Sequence, residues 1–416
     1  MIVSAGAATR VVEVLPGTPM AGFAARTRPS SGVHDPLTVR ALVLDGVAVV
    51  SVDVCALHER TTARIRRALG GAVRHCVVSA THTHAGPCVA FGRVGGHDDV
   101  THERVVRAAV GAVQEALAGA VDATLEYAEA FGTGVARNRR HPDRRIDPAV
   151  QALRLRDDSG SVIAHLVQYP CHPVVLDGSN ADISADYPHA LRAAVEAAHP
   201  GSVCLFVSGA AGDVNTGHPA EASYSDRPSA GRTFAEAERV GGVLAAAVLA
   251  APARPVYLDL VRFATTDVEL ALEPVTDARR HADLERWRRE RADADPGLAA
   301  LLDVWIGWAE RTEEAPASWT GRVSVVDAGV LLVFLPGEPF LAVAERIAES
   351  VDDDVLVIGY ADAVPGYLPT REEYAHGGYE VDDAHRYYGM PAPFAPGGAE
   401  ALVEAALRLI GALRGG

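Results

Sequence analysis

Residues 77–87 read VVSATHTHAGP. Branched and small residues run up to Ala80, two histidines follow with one threonine between them, and a Gly-Pro turn closes the stretch. The pattern predicts a buried strand over 74–80 that ends in a loop carrying His82 and His84. On a strand the i and i+2 side chains share one face, so H-T-H would set two imidazoles side by side. Loops at strand ends are where an α/β scaffold presents reactive groups.

Outward from this stretch, the first half of the chain alternates strands and helices. LTVRALVLDGVAVVSVDV (37–54) reads as two strands joined at Asp45-Gly46, a hairpin turn signal. A helix over 59–70 precedes the histidine strand, and a helix near 101–119 follows it, with strands near 123–130, 150–156 and 161–169. The second half reads as a helix at 185–198, a buried strand at 203–208 and an Ala-rich helix at 230–250. Strands near 255–263, 322–327 and 330–335, a helix at 340–350, a strand at 354–360 and a helix at 398–413 complete it. Residues 276–314, dense in Arg, Glu, Ala and Trp, read as an inserted helical arm. The expected fold class is α/β, with mixed β-sheets flanked by helices. No repeat or low-complexity linker divides the chain, so residues 1–416 are expected to form a single catalytic unit of two interlocked lobes.

Composition narrows the function. The 416 residues carry 38 basic and 54 acidic side chains, a formal charge of −16. That balance repels phosphate backbones, so nucleic acid is not an expected partner. Every basic residue is arginine; without lysine, Schiff bases, pyridoxal phosphate anchoring and the P-loop are excluded. No apolar run approaches the ~20 residues of a membrane span, so stable insertion is not expected. The N-terminal stretch lacks a basic region followed by an apolar one, and a cytoplasmic location is expected. Cys55, Cys76, Cys88, Cys171 and Cys204 have no C-x-x-C spacing and read as buried free thiols. No G-x-S-x-G elbow occurs, which disfavours a serine hydrolase.

Three further stretches share the pattern of a strand end, polar residues, then Gly or Pro: QYPCHPVVL (168–176), FLPGEPF (334–340) and GYADAVPGYLPTREEYAHGGYE (359–380). With the first they offer His82, His84, His172, Glu338, Tyr367 and Tyr379. Imidazoles plus a carboxylate are the ligand set of a catalytic zinc, which keeps one position open for water. Taken singly, His172 reads equally as a partly buried histidine, Glu338 as a solvated turn residue and the tyrosines as packing aromatics. Asp213 reads as a carboxylate behind the site or as a helix cap, and His34-Asp35 as a turn. Trp305 and Trp308 share a helical face, as core or as a lid. Cys171 beside His172 points the opposite way on an extended chain.

Together and in order, these stretches resemble the neutral, non-lysosomal ceramidase family, zinc amidases that cleave N-acyl bonds. GFAARTRPSSGVHDPLTVRALVLDG near the N-terminus, THTHAGP, NRR at 138–140, YPCHPV, SGAAGDVN at 208–215, PGE and GYLPTREEYAHGGYE carry the resemblance across almost the whole chain. It implies that His82, His172, Glu338 and Tyr367 hold Zn²⁺, that His84 is a catalytic residue beside the metal, and that Tyr379 and Arg139 act as catalytic donors. Arg137 and Arg140 flank that last position closely.

The chemistry suits those roles. Zinc lowers the pKa of a bound water from ~15.7 toward ~7, and an imidazole can move a proton near neutrality. Cationic and hydroxyl donors can steady the oxyanion that forms at the carbonyl. Two departures stand out: Asn215 replaces the family's serine after Gly-Asp-Val, and the immunoglobulin-like domain of the larger ceramidases is not expected here. The implied function is zinc-dependent hydrolysis of an amide in an N-acyl amine or related small amide. An esterase, lactonase, acyl transferase or cyclase on the same scaffold is the alternative, and a non-enzymatic binding protein a third. Acyl length and oligomeric state are left open.

Overall fold

The computed structural model describes residues 2–93, 96–311 and 316–415. In chain order, the first sheet is built from β1 (Val3–Val12), β2 (Leu37–Leu44) and β3 (Val47–Val52), then, after helix α1 (Glu59–Leu69), β4 (His75–Ala80). Helix α2 (Asp99–Ala118) leads to β5 (Val121–Ala130), β6 (Val150–Asp157) and β7 (Val162–Tyr169). Helix α3 (Tyr187–Ala198), β8 (Val203–Ser208) and α4 (Phe234–Ala250) follow. The strand order is β8-β7-β6-β5-β1-β2-β3-β4; β3/β4 and β7/β8 are parallel and the rest antiparallel.

The second sheet contains β9 (Arg262–Ala271), β10 (Ser318–Asp327), β11 (Leu331–Phe334) and β12 (Val355–Ile358), in that order. Between its first two strands lie α5 (Asp277–Ala292) and α6 (Pro296–Arg311), the expected arm; residues 312–314 of that expectation lie outside the described residues. Helix α7 (Leu341–Glu349) separates β11 from β12, and α8 (Gly398–Arg414) ends the chain.

Period-two alternation divides these strands between two cores. In β2, Leu42 and Leu44 face the second sheet, packing with Leu332 and Leu356, while Val39 and Ala41 face the helices. In β11, Leu332 and Phe334 face the first sheet, while Leu331 and Val333 face away from it. The result is four layers: α2, α3 and α4, the two sheets, then α7 and α8. Strands buried on both faces read as continuous apolar runs, which is why β3 (VAVVSV) and β4 were legible.

Two elements differ from the sequence reading. The strand expected near 255–263 instead begins at Arg262 and runs ten residues beside β10. Its expected apolar run is a crossover, where Val256, Leu258 and Val261 are buried without a long ladder. Strand β1 was not anticipated, because in its first half, VSAGA, four of the five residues are small and unbranched. Small residues are needed there: a Cβ on Gly6 would lie 2.0 Å from the carbonyl oxygen of Ala116 in α2.

The first sheet curls until its β8 edge crosses β2–β4. The Ser51 hydroxyl donates to the Phe206 carbonyl at 2.5 Å, and the Ser208 hydroxyl to the Thr81 carbonyl at 2.7 Å. Single bridges Ser79–Ala361 and Gly209–Ile358 tie both edges to the end of β12. The C-terminal ends of β4, β7, β8, β11 and β12 are thereby gathered in one place.

Candidate metal centre

The loops leaving these strand ends carry His82 after β4, His172 after β7, Glu338 after β11, and Tyr360 and Tyr367 after β12. The first correction concerns H-T-H. The strand stops at Ala80, and His82 adopts a left-handed backbone with φ of 69°. The two rings therefore meet through a kink and not through strand periodicity. That conformation costs an ordinary residue on the order of 1–2 kcal/mol. It is held by the His82 amide donating to the Val54 carbonyl at 3.0 Å.

The rings of His82, His84 and His172 and the carboxylate of Glu338 converge in a buried cluster. His172 Nε2 lies 2.9 Å and His82 Nε2 3.3 Å from Glu338 Oε2, and His84 Nε2 lies 3.1 Å from His82 Nε2. On the far side of each ring, His82 Nδ1 faces the Cys55 carbonyl at 2.5 Å and His172 Nδ1 the Val214 carbonyl at 3.0 Å. A carbonyl oxygen only accepts, so each Nδ1 carries the proton and donates. This is the backing that orients imidazole ligands toward a metal. One ligand atom from each of His82, His172 and Glu338 lies within 4.8 Å of the others.

The charges fit a cation at this point. Burial works against the Glu338 carboxylate, but His82 and His172 hold it well below the usual range. Burial also works against charge on His82, yet Glu338 raises its proton affinity to about 10. The proton so held sits on the nitrogen that faces the carboxylate, where a metal ion would take its place. His172 is pushed down to about 4 by burial and by Arg139, and His84 well below its ordinary value by burial and the other two rings. Neutral imidazole nitrogen and carboxylate oxygen are donors that Zn²⁺ accepts.

The structure also brings Tyr367, Tyr379 and Arg139 to this cluster. Tyr367 pairs with Glu338 in a short parallel ladder, and its ring centre is 6.4 Å from that of His172. The Arg139 guanidinium lies 5.3 Å from the Tyr367 ring centre and hydrogen-bonds its hydroxyl. Tyr379 lies against Tyr367, ring centres 5.6 Å apart, and lines a cavity that reaches His84. Of the neighbouring arginines, Arg140 is engaged by Glu373 and Glu380, and Arg137 bonds its own neighbour's carbonyl.

Other expectations resolve in the same geometry. Asp213 serves both ways: Oδ1 accepts the Leu341 amide at the start of α7, and Oδ2 accepts the Asn138 side-chain amide beside Arg139. Asp35 is buried and accepts from Ser184 and Ala185, a turn role, while His34 stacks on Phe234. Asn215 closes a turn, accepting from Gly217 and His218 and donating to the His218 carbonyl. Trp305 and Trp308 pack with Trp287 across α5 and α6, and Trp308 also lines the cavity. All five cysteines are buried and none forms a disulfide.

Sequence reasoning missed three contributors. The Tyr388 hydroxyl donates to Glu338 Oε1, the oxygen facing away from the histidines. Tyr360 stacks on His82 at 4.4 Å between ring centres. Glu380 binds both Arg139 and Arg140. Nothing in RYYGM sets Tyr388 apart from a packing tyrosine; only its distance in space from Glu338 does.

Residues 10–215 match the family model described as neutral/alkaline non-lysosomal ceramidase, N-terminal. The neutral ceramidase of Pseudomonas aeruginosa is 24% identical over 445 residues, covering 87% of this chain; the chain spans 66% of the length of that relative. The crystal structure of neutral ceramidase from Pseudomonas aeruginosa superposes with a TM-score of 0.76 at 18% identity, over 99% of this chain and 74% of that one. A ceramidase complexed with C2 gives a TM-score of 0.74 at 17% identity, over 99% and 75%. Residues 10–215 thus resemble the N-terminal part of the neutral/alkaline non-lysosomal ceramidases, and the chain as a whole shares the fold of neutral ceramidase.

Proposed function

We propose that this centre holds a zinc ion and hydrolyses the amide bond of an N-acyl amine or a related small amide. The observation that carries the reading is the convergence of His82 Nε2, His172 Nε2 and a Glu338 oxygen in a buried cluster, with His84 one hydrogen-bond length further on. Tyr367 is the fourth ligand in this reading. A zinc ion there would supply Lewis acidity toward the carbonyl and acidify a water.

The chain's own residues do the rest. His84 is the proton carrier: it takes a proton from the attacking water and returns it to the leaving nitrogen. Its Nδ1 has no hydrogen-bond partner among the described residues, and its ring borders the cavity, so it is free to do so. Arg139 and Tyr379 donate to the oxyanion that forms at the acyl carbon, with Arg139 fixed in place by Glu380. In the balanced reaction the C–N bond breaks, the water oxygen joins the acyl carbon, and the nitrogen leaves protonated.

The partner is a small molecule. Among the described residues no helix is long and apolar enough to cross a membrane. Five buried cysteines, none of them in a disulfide, suit a reducing compartment, the cytoplasm. Elemental analysis of purified protein, joined to a panel of N-acyl amides and matched esters, tests the reading. One zinc per chain with turnover of amides is the expected result; full turnover in thoroughly chelated protein overturns it.

A further inference from the structure

A cavity of about 1140 Å³ opens beside His84. Phe91, Tyr224, Trp308 and Tyr387 give it an aromatic lining that suits the apolar part of a substrate. It also has a cationic lining. Arg26, Arg28, Arg311 and Arg386 line the cavity, and among the described residues that line it the only carboxylate is Asp303. Both Asp303 oxygens are taken by Arg291, at 2.5 and 2.9 Å, and Arg386 is neutralised by Asp383 at 2.5 Å. In a chain with 54 acidic against 38 basic side chains, a pocket biased this way is out of keeping with its surroundings. Cationic walls of a cleft focus potential and draw anions.

Arg26 strengthens the point. It is 8% exposed and lines the cavity, and among the described residues its guanidinium donates only to the backbone carbonyls of Ala21, His84 and Asp177. Its Nε has no partner among the described residues. Burial draws its pKa down to about 10, so the charge persists at neutrality. Arg28, two residues on, is exposed at the cavity wall, its recorded bond being a 3.3 Å contact to the Ser179 carbonyl.

Position selects which end of a substrate this charge meets. Arg26 Nη1 bonds the His84 carbonyl at 2.8 Å, and Phe23, beneath the Arg26 guanidinium, meets the His84 ring edge-on at 5.1 Å. A Cβ on Gly22 would lie 2.5 Å from His84 Cγ, so this loop is pressed against the proton carrier. The leaving amine must also stand at His84.

Resting on the amidase reading above, we infer that the substrate carries a carboxylate on its amine portion: an N-acyl amino acid, whose anion is met by Arg28 and Arg26 while its acyl group lies along the aromatic lining.

The test compares N-acylglycine with the N-acylglycinamide of the same acyl chain, which differ in that one charge. The expected kcat/KM ratio favours the carboxylate by about tenfold or more, the weight of one charge-assisted hydrogen bond. The ratio should shrink with added salt, which screens exposed charges. It should fall toward one in Arg28→Gln, an exposed position where folding is not at stake. Turnover of both compounds at equal rates, or a ratio untouched by Arg28→Gln, overturns the inference while leaving the amidase reading intact. If neither compound is turned over, calorimetric binding of the same pair to wild type and Arg28→Gln decides this inference, and the amide panel decides the amidase reading separately. Preferential binding of the carboxylate, lost in the variant, supports it; equal binding overturns it.

Discussion

His84 Nε2 lies 3.1 Å from His82 Nε2, but only His82 is fixed from behind by a carbonyl, that of Cys55. The His84 Nδ1 has no such partner among the described residues. One ring of the H-T-H pair is fixed in orientation, and the other has a ring nitrogen left without a partner among the described residues. Substitution separates the two roles. His82→Ala should lose the metal, and turnover with it, while circular dichroism reports a folded chain. His84→Gln should keep about one zinc per chain yet lower kcat/KM by about 10²–10⁴, the usual worth of a positioned acid–base group. Equal metal loss in both variants would contradict the division.

Tyr388 acts on the centre through Glu338. By donating to Oε1 it leaves Oε2 toward the histidines and fixes the carboxylate's rotation. Tyr388→Phe keeps the ring and removes only the donor. Zinc affinity, measured by competition with a chelator, should fall about 10–100-fold, as for other groups that orient metal ligands. Unaltered affinity would show the contact to be incidental.

Much of this centre could be read before any coordinates. His82, His84, His172, Glu338, Tyr367 and Tyr379 sit in short stretches where an apolar run gives way to Gly or Pro. What was hidden has physical reasons. Tyr388 and Glu380 follow no strand and owe their places to the path of the chain beyond Gly378, which sequence period does not encode. The left-handed turn at His82 is invisible because nothing in THT signals it; a glycine there would have. Strand β1 was obscured by the small residues that let α2 approach, and β9 by polar alternation, TTDVEL, beside a more apolar crossover.

Arg192 and Asp53 form a fully buried pair, joined at 2.8 and 2.9 Å between α3 and the end of β3. Burial alone would raise the Asp53 pKa, but the guanidinium and the Thr38 amide and hydroxyl bring it below the ordinary value. Arg192→Met should strand that carboxylate and destabilise the protein by about 3–5 kcal/mol in urea denaturation. Asp53→Asn in the same background should return part of the loss, because the stranded charge, not the missing contact, is the main cost. A single variant within about 0.5 kcal/mol of wild type would rule this out.

His165 links acid to stability. It is buried in β7 against the His199 ring, centres 4.9 Å apart, and neither ring nitrogen has a partner among the described residues. Burial, then His199, Arg154 and Arg156, push its pKa down to about 3, while an unfolded histidine titrates near 6.5. Between those values the unfolded chain binds a proton that the folded chain refuses. Stability from this group is therefore complete above about pH 6.5 and is lost as pH falls toward 3, at up to about 1.4 kcal/mol per pH unit. His165→Leu removes the titration and fills the site with an apolar side chain. Urea midpoints measured from pH 7 to 4 should fall less steeply in the variant, by about one proton's worth of slope. Parallel curves for the two proteins would mean that His165 takes up its proton in the folded state.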